Sequence, residues 1–160
     1  MESREKTPII SSEEPEISFE VTYPKEFNLL IARGYYGFVN KYFNKTHVDI
    51  PPECVNKKVT VKAKLFKADC HGLTQPTISE IETAGYRVAV FHELLALGIA
   101  FPNLQKEFTI IALGSVKKSL LGLIEKVPCL QVKKGVRSLD LVRDFVWKKN
   151  ERFLAIKIEK

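Results

Sequence analysis

Apolar and polar residues alternate along ISFEVTY (17–23) at the two-residue period of a half-buried strand. The period then changes. In PKEFNLLIARG (24–34) Phe27, Leu30 and Ile31 fall at helical spacing behind an opening proline, and Gly34 supplies a stop, which predicts a helix. YYGFVNKYF (35–43) is rich in aromatics and reads as strand, and THVDIPPE (46–53) reads as a loop around its proline pair. KKVTVKAKLFKA (57–68) is the clearest strand. Val59, Val61, Ala63 and Leu65 point one way, Thr60, Lys62, Lys64 and Phe66 the other, so one face is expected to be buried and the other mostly wet.

Two short helices are expected next. TISEIETAG (77–85) carries Thr77 and Glu80 at capping-box spacing and Gly85 as a stop. FHELLALG (91–98) sets Phe91, Leu94 and Leu95 on one face before Gly98 ends it. FTIIAL (108–113) is a continuous apolar run apt for a central strand, and VPCLQV (127–132), VRSLDLV (136–142) and RFLAIKI (152–158) are further strands. Strands at both ends of a helical middle give an α+β domain. Residues 1–16 read as a disordered tail, 17–60 as an extension packing on the main domain, and 61–160 as that domain.

Composition narrows the class. A chain of 160 residues with 45% hydrophobic content can bury one respectable core. It lacks both an apolar run long enough to span a membrane and an apolar stretch near its N-terminus of the kind a secretory signal needs. Cys54, Cys70 and Cys129 are odd in number and not spaced as a disulfide or zinc framework, so a soluble, cytoplasmic protein is expected. The net charge of +6 is uneven, because residues 114–160 hold 12 Lys/Arg against 5 Asp/Glu while the rest is near neutral. A basic third of this kind suits an anionic partner or only a solvated surface.

AGYRVAVFHELLALGIAFPNLQKEFTIIAL (84–113), taken with RFLAIKI, resembles the frame G-(Y/W)-R-(L/P)-x-T-x-E-L … R-(F/C)-x-A-(V/I)-(R/K) of bacterial C-type-lectin-like domains. That frame occurs in the formylglycine-generating-enzyme superfamily, in ligand-displaying proteins of diversity-generating retroelements, and in uncharacterised bacterial proteins of the type GYRPATxEELLAL … EFPIxALGS … RFLAVRK. Its G-Y-R falls on Gly85, Tyr86 and Arg87, its E-L on Glu93 and Leu94, and its I-A-L-G-S on Ile111 to Ser115. The resemblance implies two helices on a small, mainly antiparallel sheet, terminal strands that pair, and a loop-rich display surface. Val90 replaces the expected threonine, so the second helix is expected to start raggedly. The cysteine pair and the three-histidine iron site of the enzymatic branches have no match here, and neither a metal nor another cofactor is expected. Gln75-Pro76 reads as helix-start architecture rather than as part of a calcium loop.

The chemical motifs are sparse. His92 reads as a surface or packing histidine beside Glu93, which the resemblance implies is a structural carboxylate, while Cys70-His71 reads as a turn and Ser115 as a turn residue. The basic bias and the only tryptophan meet in residues 133–150. Lys133, Lys134, Arg137, Arg143, Asp144, Trp147, Lys148, Lys149 and Asn150 are therefore the candidate ligand face, with Trp147 expected to be partly exposed in one patch with Arg143, Lys148 and Lys149. The function expected is a non-catalytic binding or display module whose partner is a protein or an anionic ligand. A divergent enzyme of the lectin-like superfamily and a nucleic-acid-binding protein are the alternatives.

Overall fold

Nine strands join in a single mixed sheet in the computed structural model, which describes residues 15–41, 43, 52–67, 74–115, 117–118, 125–143 and 147–159. The strands are β1 (Ile17–Thr22), β2 (Phe38–Val39), β3 (Lys58–Lys67), β4 (Tyr86–Val88), β5 (Thr109–Ile111), β6 (Lys117–Lys118), β7 (Glu125–Lys133), β8 (Val136–Arg143) and β9 (Glu151–Lys157). The helices are α1 (Asn28–Arg33), α2 (Thr74–Thr83), α3 (Phe91–Ala100) and α4 (Leu104–Glu107). The order across the sheet is β1-β3-β9-β5-β7-β8-β2, with β4 beside β9 and β6 beside β7. The fold is α+β with a mostly sheet core.

β9 holds the two halves together. It pairs antiparallel with β3, Leu65 opposite Leu154, and parallel with β5, Ile110 opposite Arg152. The RFLAIKI strand therefore lies against the KVTVKAKL strand, as expected. Period-two alternation serves two cores, one on each face. Leu154 and Ile156 join Val61, Ala63 and Leu65 under α1 and α3, while Phe153 and Ala155 join Ile81 of α2 on the other side. The face of β3 expected to be wet is accordingly wet only in part, since Phe66 is 3% exposed and its ring lies edge-on to Tyr86.

Four local expectations need correction. The aromatic stretch 35–43 contributes only the two-residue β2, hydrogen-bonded parallel to β8. Thr77 lies buried inside α2 and is not its cap, because that helix begins at Thr74 and Pro76 fits in the first turn, where no carbonyl requires its missing N–H. Gly98 does not stop α3, which runs on to Ala100; a Cβ there would lie 2.3 Å from the Tyr36 hydroxyl, so the glycine serves close approach. The start of α3 is not ragged. Glu93 accepts the Val90 N–H at 2.9 Å, and Ser115, far along the chain, accepts the Phe91 N–H at 2.8 Å, so the helix entry is tied down without the threonine.

Candidate functional site

Residues 91–98 of α3 are all buried, because the helix is apolar nearly all round and lies between the sheet and α1. That carries His92 and Glu93 into the interior, each 0% exposed. Glu93 meets Arg87 through two hydrogen bonds of 2.8 and 2.6 Å and accepts the Tyr23 hydroxyl at 2.7 Å. The G-Y-R and E-L motifs thus converge in one ion pair that ties β4 and α3 to the end of β1. Burial, with the Glu93 charge behind it, pushes the Tyr23 hydroxyl well above its ordinary range, and the bond to Glu93 raises Arg87 further. The charges are matched and the carboxylate is saturated with donors, an arrangement that fixes structure and leaves no base poised for proton transfer. His92 lies between the Tyr23 and Phe27 rings with Nε2 2.8 Å from the Pro24 carbonyl, which sets Nε2–H as the donor. Burial holds its pKa below the usual histidine value.

Two further titratable groups, Cys129 and Asp140, face each other across β7 and β8. Cys129 is buried, and desolvation pushes its thiol far above the ordinary range, so it is no nucleophile. Opposite it in the ladder, Asp140 is 6% exposed and accepts bonds from Asn40 (2.8 Å), Gln131 (3.0 Å) and Lys133 (3.2 Å). Burial alone would raise its pKa, but the Asn40, Leu141 N–H and Lys133 contacts outweigh it and hold the carboxyl low. Among the described residues no three of His, Cys, Asp and Glu are grouped to hold a metal ion. His47 and the Cys70-His71 pair lie outside the described residues.

The residues of the expected ligand face separate. Trp147 corrects the reading outright. It is 3% exposed, its ring edge-on to Phe153 at 5.1 Å in the second core, because the segment before β9 crosses that apolar face. Arg137 is a clamp between elements. It donates to the carbonyls of Gly34 and Gly98 and to Gln105 Oε1 while its guanidinium lies 5.0 Å from the centre of the Tyr36 ring, joining the ends of α1 and α3 to β8. The backbone of Arg143 pairs with Lys126, at the far end of the β7–β8 hairpin from Lys133; its side chain and Asp144 lie outside the described residues.

The lysines do come together. Lys133 is paired with Val136 at the hairpin turn, and Lys134 forms that turn at φ +51°. β5 relates this end to the start of β9, since Ile110 is opposite Leu130 while Thr109 is opposite Glu151. The turn carrying Lys148, Lys149 and Asn150 therefore projects from the same end of the sheet as Lys133 and Lys134, and all five residues are exposed. It is braced: Glu151 accepts the Lys148 N–H, and Arg152 donates to the Lys149 carbonyl at 2.8 Å. Between the lysines and the sheet edge lie exposed apolar residues that periodicity had not singled out, among them Phe38, Val132 and Val136, all about 40% exposed. Lys133 already rests its ammonium 5.0 Å from the centre of the Phe38 ring. For Val132 and Val136 the signal was an apolar pattern in VPCLQVKKGV that runs past the point where the core ends.

No helix among the described residues is long and apolar enough to cross a membrane. Compared with protein-family models, with curated proteins and with solved structures, the chain matches none.

Proposed function

We propose that this chain is a non-catalytic binding or display module on a C-type-lectin-like fold, engaging an anionic protein segment with the basic end of its sheet. The observation that carries the reading is the register that projects Lys133, Lys134, Lys148 and Lys149 from one end, interleaved with exposed Phe38, Val132 and Val136. Exposed cations beside apolar and aromatic surface recognise acidic chains through charge and desolvated contact together. The polar groups that could have served catalysis favour the same reading, since the buried Glu93 is taken up by the Tyr23 hydroxyl and by Arg87, whose guanidinium reaches in from the surface. The lectin-like assignment is supported by α2 and α3 lying between β3 and β5 in the chain, by β9 returning against β3, and by the long connection from β5 to β7.

The test is fluorescence anisotropy with labelled polyglutamate and with a mixed-sequence DNA duplex. It compares the native chain, a variant with Lys133, Lys134, Lys148 and Lys149 changed to alanine, and a control with Lys25 and Lys62 so changed. The native chain and the control should bind polyglutamate alike, and the fourfold variant at least about tenfold more weakly. Equal losses in the variant and the control would overturn the assignment of this face. Tighter binding to the duplex, with a salt dependence equivalent to several phosphate contacts between about 0.05 and 0.2 M salt, would replace it with nucleic-acid binding.

A further inference from the structure

At the opposite edge of the sheet, β1 presents an open side. Among the described residues it pairs with β3 alone, and parity tells which of its backbone groups are left unpaired there. The Tyr23 N–H reaches the Lys57 carbonyl at 3.4 Å, so residue 23 faces the β3 ladder, and in an antiparallel pair so do Val21, Phe19 and Ile17. The N–H and C=O groups of Ser18, Glu20 and Thr22 then point away from the sheet. Those same three residues line a groove of about 350 Å³ running between β1 and the helices α1 and α3. Its apolar wall is Phe19, Leu30, Ala96 and Ile99, with exposed Arg33 and Lys58 beside it. Ile99 stays 36% exposed, as does Phe101, whose ring stands edge-on to Phe19. Arg33 makes no hydrogen bond or ion pair among the described residues, and Lys58 holds Glu20 only in a solvent-exposed pair at 3.0 Å.

We propose that this groove takes an extended acidic-apolar peptide from another protein, added as a further strand on the free side of β1. An unpaired strand edge supplies main-chain donors and acceptors at the spacing of a second strand, and a neighbouring apolar trough reads every other side chain. Alternate apolar residues of the peptide lie against Leu30, Ala96 and Ile99, and its carboxylates meet Arg33 and Lys58. A second copy of this chain is a poor occupant through the same edge, because its own Phe19 and Val21 are already buried and its outward residues Ser18, Glu20 and Thr22 are polar.

The proposal is independent of the basic end of the sheet and is tested with capped peptides of about six residues alternating valine and glutamate, valine and lysine, or carrying a central proline. Binding is followed by NMR and by amide hydrogen exchange of the full chain. The valine–glutamate peptide should bind best and slow exchange at Ser18, Glu20 and Thr22 while leaving Val21 unchanged. Glu20→Pro removes one outward N–H without touching the β3 ladder and should weaken binding about tenfold. Arg33→Glu and Ile99→Asp, which lie outside the ladder, should do likewise, so the test survives if the proline variant fails to fold. Binding that leaves these amides unprotected, or that ignores all three variants, would overturn it. So would a dimer that Glu20→Pro converts to monomer, or peptide binding seen only after residues 1–14 are deleted.

Discussion

Trp147 contributes as a core side chain, 3% exposed with its ring edge-on to Phe153, so Trp147→Ala leaves a large cavity in the second core. The loss should be about 3–5 kcal/mol by urea denaturation; a variant within about half a kcal/mol of the parent would contradict that packing. At sequence level the indole was ambiguous, since a tryptophan among lysines suits a core and a ligand face equally. Only the path of the segment before β9 decides between them. His92 was more legible, as a lone histidine on an apolar helix, and its consequence is a pH dependence. Its folded pKa lies below the unfolded value of about 6.5, because burial disfavours the cation. Stability from this group is therefore complete above about pH 6.5 and falls as the pH drops from there toward the folded pKa, by up to about 1.4 kcal/mol per pH unit. Urea midpoints from pH 7.5 to 5 should show that slope reduced in His92→Gln relative to the parent.

Elements were legible where period and burial agree. The four long strands β3, β7, β8 and β9 coincide with the alternating or apolar runs, because a strand with core on one or both faces writes its geometry into side-chain type. Glycines misled, since a stop and a close approach look alike in one dimension. Gly98 is the second kind. Alanine in mid-helix ordinarily stabilises by up to about 1 kcal/mol, yet Gly98→Ala should destabilise by about 1–3 kcal/mol, because its Cβ meets the Tyr36 hydroxyl at 2.3 Å. That hydroxyl is buried without a partner among the described residues, so Tyr36→Phe should be neutral or stabilising, and the double variant should recover part of the loss. Thermal melts of the four proteins complete the cycle. The cap on α3 was invisible for another reason: its acceptor, Ser115, comes 24 residues after Phe91. Ser115→Ala should cost about 1 kcal/mol, and Val90→Thr, which puts a hydroxyl back at the helix entry, should restore much of it in the same melts.

At the scale of the molecule, charge counting pointed to the last third, but it could not say which lysines share an end. That depends on β5 relating β7 to β9, a pairing between segments tens of residues apart that no local pattern announces. The apolar edge residues Phe38, Val132 and Val136 went unread for the same reason, since exposure is a property of the assembled sheet. The central place of β9 has a further consequence, for biosynthesis. Among the described residues, strand pairing joins β1 and β3 to the ladder of β5, β7, β8 and β2 through residues 151–157 alone, the last of the nine strands to leave the ribosome. Until then the nascent chain carries two half-sheets with open edges, and sheet closure waits on contacts of long sequence separation, which slow folding. A chain ending at residue 150 should lack a cooperative melt, and a synthetic peptide of residues 148–160 added in trans should restore one.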